Sequence, residues 1–214
     1  MNGIGNSGYT VLKENLTSQQ ITKIRKDLTV KPFVNASFGV EAVPFAIYME
    51  SKRKLYLPRY YGIEEFGYPT SFKINKGTDI DVEFKGTLKD KQLPIVKAFT
   101  EATKDKYIGG GIISVPCGYG KTVLGLYFAS MLKLKTLVIV HKEFLMNQWK
   151  ERIEQFIPNA RVGRIQRKNI VTEDCDIVIG LLQSISMIEY PEETFQGFGF
   201  VIYDECHHLG AEVF

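Results

Sequence analysis

The sequence predicts an α/β fold: a parallel sheet flanked by helices, preceded by a small α+β module. Three observations carry this. After Gly86, helical and strand-like segments alternate, the sequence sign of a parallel α/β sheet. Before Gly86, short β-prone runs are punctuated by turn residues. Between the two textures an apolar run feeds a glycine-containing loop that opens an apolar helix.

The elements follow in order. Residues 1–8 are polar and glycine-rich, the composition of a tail rather than of a signal peptide. A helix is expected over Ser18–Asp27, with Thr17 or Ser18 as N-cap. Strands are expected over 44–49, Lys54–Leu57 and 80–84, with turns at Gly39, Pro58, Gly62, Gly67, Pro69 and Gly77. Residues 52–61 mix basic and aromatic side chains. They could pair phosphates and stack bases. The preferred reading is a hairpin with a charged, solvated turn and inward tyrosines.

Beyond Gly86 the expected order is a helix over 90–105, a strand over 112–115, and a helix after Thr122. A buried strand over Thr136–Val140, a helix over Glu143–Phe156 and strands over 176–180 and 199–203 complete it. Two domains are expected, residues 1–86 and 87–214. The second then begins with the segment leading into the loop.

Composition excludes more than it assigns. The chain has 214 residues, 44% hydrophobic, enough for a core, and a formal charge of +3. Residues 1–86 hold 12 Lys/Arg against 9 Asp/Glu, a net of +3; residues 87–214 hold 15 of each. So mild a basic excess permits a nucleic-acid partner without requiring one. No apolar run reaches eighteen residues, so no membrane span is expected. Cys117, Cys175 and Cys206 lie far apart, which suits a reduced, intracellular, soluble protein without a disulfide framework.

Residues 112–122 read Ile-Ile-Ser-Val-Pro-Cys-Gly-Tyr-Gly-Lys-Thr. Glycines let backbone N–H groups converge on phosphate oxygens, and a helix N-terminus adds a positive field. Lys supplies a point charge, and Thr can ligate Mg²⁺. Val115 departs from the strict phosphate-loop pattern, which has Gly there. Pro116, Cys117, Gly118, Tyr119, Gly120, Lys121 and Thr122 are therefore the candidate nucleotide contacts. A second apolar run, 200–203, ends in Asp204-Glu205-Cys206-His207-His208. In phosphate-loop NTPases an Asp at a strand end holds Mg²⁺, and a neighbouring carboxylate can take the proton of the attacking water. Strict strand alternation would aim Asp204 and Glu205 in different directions; a following turn relaxes this. Cys206, His207 and His208 lack metal-ligand spacing.

These residues resemble motifs I and II of superfamily 2 helicases, the DEAD/DEAH-like group. Residues 88–92, 137–149 and 176–185 match three further elements in order: the upstream Gln element, motif Ia with its helix, and the strand ending in Gln-Ser. The strongest similarity is to XPB-like, double-stranded-DNA-dependent helicases and to phage and large-DNA-virus relatives of the poxvirus transcript-release type. The N-terminal phrases at 55–62 and 84–88 also look like viral and phage members.

The resemblance implies a RecA-like first motor domain. It implies ATP and Mg²⁺ as cofactors, and ATP hydrolysis coupled to movement on nucleic acid, most of all duplex DNA. Transcription or repair machinery would be possible partners. It assigns Lys121 to the β/γ phosphates, Thr122 and Asp204 to Mg²⁺, and Glu205 as general base. Gln92 would read the adenine edge, and His207 would couple the site to later motifs. His141, Lys142, Gln183 and Ser184 would contact a nucleic-acid strand. His141 stands where relatives often carry Pro or Ala. The family pattern continues with motif III and a second domain bearing arginine fingers, whereas this sequence stops at Phe214. An arginine finger is worth about 10³–10⁵ in rate. The expectation is a motor domain incomplete at its C-terminus, binding ATP weakly and hydrolysing it poorly. An RNA helicase, a restriction-type translocase that never separates strands, and a non-catalytic nucleic-acid-binding fragment are the alternatives.

Overall fold

The computed structural model describes residues 2–31, 43–105 and 109–210. Gly39 and Phe214 lie outside them. The chain divides into two compact units, Met1–Ile74 and Asn75–Phe214.

The first unit is a mixed five-stranded sheet with two helices. Its elements are β1 (Gly3–Gly5), β2 (Gly8–Leu12), α1 (Ser18–Asp27), β3 (Thr29–Val30) and β4 (Phe45–Ala46). Then come β5 (Met49–Glu50), β6 (Lys54–Leu57), α2 (Arg59–Phe66) and β7 (Ser71–Lys73). The sheet order is β5-β6-β2-β1-β7, with β3 and β4 paired separately. All the pairs are antiparallel except β1 with β7. Residues 3–5 are therefore a strand of the sheet rather than part of a tail. Gly8, at φ +96°, turns the chain back, so that β1 pairs with β2 and buries Ile4 and Tyr9. Helix α1 starts as expected: the Thr17 hydroxyl accepts from Gln20 N–H, and the Gln20 side chain accepts from Thr17 N–H.

The basic and aromatic segment folds as a β5–β6 hairpin running into α2. Its turn is exposed. Leu55 and Leu57, rather than the tyrosines, fill the core, and Tyr60 stays exposed. Tyr61 donates to Asp27 Oδ2 at 3.0 Å. Burial, with the Asp27 hydrogen bond, pushes its phenol up to about 12.

The second unit is the parallel α/β sheet. Its elements are α3 (Leu93–Ala102), α4 (Lys121–Leu132), β8 (Thr136–Val140), α5 (Glu143–Phe156) and β9 (Val162–Gln166). Then come β10 (Asn169–Val171), β11 (Ile177–Leu181), α6 (Leu182–Met187) and β12 (Phe200–Tyr203). The order is β10-β9-β11-β8-β12, parallel except for the β9–β10 hairpin. Apart from Thr136, strands β8 and β11 are apolar because both faces are covered. Val138, Val140, Ile177 and Ile179 pack with Leu126 of α4 and Met146, Trp149 and Ile153 of α5. Leu137, Ile139 and Val178 pack on the opposite face with Ile165 and Leu182.

Three sequence expectations change here. Residues 80–84 form no strand: Asp79 makes a single bridge to Leu134, and Ile80 and Val82 enter the core beneath α4 and α5. That packing also draws the unit boundary to Ile74, ahead of the expected Gly86. Residues 112–115 form no strand either, and Ile112 is 82% exposed. A strand exists only with a ladder partner, and β propensity chiefly measures fit to a half-buried pleated surface. Among the described residues none pairs with this run, and β12 is the sheet's outer strand on that side. The β9–β10 hairpin was not legible, because β9 carries only Val162 and Ile165 as large apolar residues and β10 is three exposed residues long.

Candidate nucleotide-binding site

The loop ahead of α4 has the backbone that the glycines allow. Gly118 and Gly120 both take φ +78°, and Gly120 is the left-handed N-cap of α4. A Cβ on Gly120 would lie 2.9 Å from Gln92 Nε2, so the position needs glycine for space as well as for φ. Tyr119 N–H donates to Pro116 C=O at 3.4 Å, closing the turn. Lys121 and Thr122 open the helix, and the Lys121 ammonium donates back to Val115 C=O at 3.4 Å. Pro116, Cys117 and Gly118 are exposed.

Gln92 is 3% exposed and bridges two segments. Its Oε1 accepts from Lys89 N–H at 2.8 Å, and its Nε2 donates to Tyr119 C=O at 2.9 Å. Beside it, the Lys91 ammonium sits 4.1 Å from the Tyr119 ring centroid and donates to Gly118 C=O at 3.3 Å. Gln92 thus caps its own turn and holds the loop. Lys91 is a loop contact that the sequence reading passed over, although it adjoins Gln92.

The carboxylates stand at the C-terminal ends of the parallel strands, where open α/β sheets place their ligands. Asp204 N–H donates to Ile139 C=O at 3.0 Å, extending the β12–β8 ladder. Glu205 then takes φ +56°, a left-handed conformation that is uncommon without glycine. The strand alternation ends there, so the two side chains are no longer obliged to oppose each other. Asp204 Oδ2 accepts from the Trp149 indole at 2.8 Å. Glu205 Oε2 lies 3.4 Å from His207 Nδ1. Helix α4 is tied to this strand: a Cβ on Gly125 would meet Ile202 at 3.3 Å and Trp149 at 3.1 Å.

The oxygen donors, the Thr122 hydroxyl and the Asp204 carboxylate, suit Mg²⁺. Among the described residues no group of three or more His, Cys, Asp or Glu could hold a metal. A Mg²⁺ held by one or two protein oxygens and by phosphates needs no such cage.

His141 and Gln183 meet at the same strand ends, Gln183 Nε2 donating to His141 C=O at 2.7 Å. His141 also lies against His208, with centroids 4.0 Å apart and the rings tilted by 37°. Burial, with His208 and Lys142 adding repulsion, holds the His141 pKa below its ordinary value. His141 Nδ1 and Gln183 Oε1 are buried with no hydrogen-bond partner among the described residues. Lys142 is exposed at the start of α5. Ser184 is 3% exposed, and its hydroxyl accepts from Arg167 N–H at 3.0 Å. Tyr190 donates to Arg167 C=O at 2.9 Å. Ser184 therefore anchors the basic β9–β10 turn, where Arg167 and Lys168 are exposed.

Residues 85–214 match the family described as type III restriction enzyme, res subunit. A protein of Acanthamoeba polyphaga mimivirus that carries the name of an ATP-dependent RNA helicase is 35% identical over 212 residues. The match covers 97% of this chain and 40% of that protein. The DNA 3'-5' translocase XPB2 of Sulfurisphaera tokodaii is 33% identical over 134 residues, 61% of this chain and 27% of that one. Among solved structures, the Sulfolobus solfataricus SWI2/SNF2 ATPase core in complex with dsDNA aligns with a TM-score of 0.46. It does so at 22% identity, over 63% of this chain and 29% of that one. The chain thus spans 40% of one curated relative and 27% of the other.

Proposed function

The chain belongs to the family of the type III restriction enzyme res subunit, within superfamily 2 of the helicases, and from that premise we propose that it is the ATP-binding part of a motor that moves on duplex DNA. The observation that carries this reading is the seating of α4 on β12. The helix opened by Lys121 and Thr122 packs through Gly125 onto Ile202, in the strand that runs into Asp204-Glu205. Phosphate loop and acidic turn then belong to one rigid assembly.

In this proposal the backbone N–H groups of the loop and the Lys121 ammonium bind the phosphates. Lys121 exchanges its Val115 carbonyl for phosphate oxygen. Thr122 and Asp204 hold Mg²⁺, which when bound supplies charge neutralisation at the phosphates. Glu205 orients the attacking water and accepts its proton. Gln92 holds Tyr119 and the loop, and the remaining hydrogen-bonding capacity of its amide serves the adenine edge. His207, paired with Glu205, couples the acidic turn to the rest of the motor. The nucleic-acid strand lies along His141, Lys142, Gln183 and the Ser184-anchored basic turn.

The test uses the full-length protein. Lys121→Ala is expected to abolish binding of a fluorescent ATP analogue. Glu205→Gln should retain binding while turnover falls by roughly 10²–10⁴-fold. Turnover surviving Glu205→Gln would remove the base assignment. The RNA-helicase name of the mimivirus relative supports a second reading, the same motor on RNA. Stimulation of ATP hydrolysis by duplex DNA, single-stranded DNA or RNA discriminates between them. Greater stimulation by RNA than by duplex DNA would overturn the DNA assignment.

A further inference from the structure

We infer that Trp149 is a positioning residue for the Asp204 carboxylate, holding it from inside the core in the orientation that Mg²⁺ requires. The inference rests on the assignment of Asp204 to Mg²⁺ above. Trp149 is the chain's only tryptophan, and it is 2% exposed on α5. A buried indole N–H is costly unless it finds an acceptor, and indole can only donate. Its acceptor is Asp204 Oδ2, at 2.8 Å, 55 residues away in sequence.

The ring has little freedom to follow a moving carboxylate. It belongs to the core cluster with Val138, Val140, Met146 and Ile153. Its outer edge lies against Gly125 of α4, where even a Cβ would sit 3.1 Å from Cη2. Asp204 is fixed at both ends: its N–H is bonded to Ile139 of β8, and its carboxylate to α5. With Oδ2 engaged by the indole, Oδ1 is left for the ion or its water. Outer contacts that orient an ion's ligand in this way typically carry about 10–100-fold in metal affinity. Trp149 thus joins three parts of the site: α4, which carries the phosphate loop; the end of β12; and α5, which begins next to Lys142.

The experiment uses the full chain. Trp149→Phe retains most of the ring and removes the N–H. The expected result is at least a tenfold rise in the Mg²⁺ concentration that half-saturates binding of a fluorescent ADP, with Mg²⁺-free ADP affinity unchanged. Wild-type Mg²⁺ dependence in a folded Trp149→Phe protein would overturn the inference. A second measurement does not depend on that variant folding. The single indole N–H signal in a ¹⁵N-correlation spectrum of ligand-free protein should move upfield in Asp204→Ala, as the charged acceptor is lost. An unmoved signal would overturn the inference. Asp204→Ala also separates this inference from its premise. If Asp204→Ala leaves Mg²⁺ dependence unchanged, the Mg²⁺ assignment falls. If Asp204→Ala weakens it and Trp149→Phe does not, only the role of Trp149 falls.

Discussion

At Asp176 a buried carboxylate depends on one guanidinium. Burial alone would raise its pKa. Instead, hydrogen bonds from the Arg161 side chain at 2.8 and 3.1 Å and from Arg161 N–H at 2.8 Å hold it below the ordinary carboxylate range. Folding therefore lowers the pKa. The pair's stabilisation is fully present above the unfolded value, near pH 4, and is lost as pH falls through the folded value. Urea unfolding followed from pH 6 to pH 2.5 should show wild type losing more stability below pH 4 than Asp176→Asn does. Parallel pH profiles for the two proteins would refute this. The residue types proposed for the nucleotide site were legible because each group is compact in sequence: glycine, Lys and Thr in the loop, and the paired carboxylates Asp204-Glu205 in the acidic turn. Their partners were not. Gln92 reaches Tyr119 across 27 positions and Trp149 reaches Asp204 across 55, and no local pattern encodes such contacts.

Among elements, the legible ones carry their signals within a few residues. Helix α1 has its Thr17–Gln20 box, and β8 has five consecutive buried residues between polar ends. The β9–β10 hairpin lacked such a signal, yet its turn presents two exposed cations, Arg167 and Lys168, and is tied to Ser184 beside Gln183. Ser184 Oγ and the Tyr190 hydroxyl pin its turn, and Arg167 takes φ +52° there. A turn held this firmly offers its cations to phosphates at little ordering cost. Reversing both charges, Arg167→Glu with Lys168→Glu, is expected to weaken nucleic-acid binding about tenfold or more. The slope of log affinity against log salt should fall by about two units. ADP binding should stay unchanged. A wild-type salt slope in the double variant would exclude the turn from the interface.

For the molecule as a whole, each unit buries apolar residues of its own, among them Tyr9, Leu55 and Leu57 in the first and Val138 and Trp149 in the second. The residues proposed to bind the nucleotide all belong to the second unit. Thermal unfolding should therefore resolve a transition that Mg²⁺ and ADP raise and another that they leave in place. Saturation at a hundred times the dissociation constant stabilises the binding unit by about 2.7 kcal/mol. Ligand shifts of equal size in both transitions would mean that the units unfold together. Among the described residues no helix is long and apolar enough to cross a membrane.

The α/β class, the order of helices and buried strands after Lys121, and the residues from which the chemistry of the loop and acidic turn is proposed follow from local pattern, because each is encoded in a few consecutive side chains. Pairing is different. Residues 112–115 have strand propensity but no ladder partner here, and residues 80–84 are drawn into the core instead of a sheet. Residues 3–5, in a stretch glycine-rich enough to pass for a tail, become a strand because β2 and β7 flank them. Hydrogen-bonded neighbours distant in sequence settle those outcomes, and the same long-range packing puts an indole N–H against the carboxylate of Asp204.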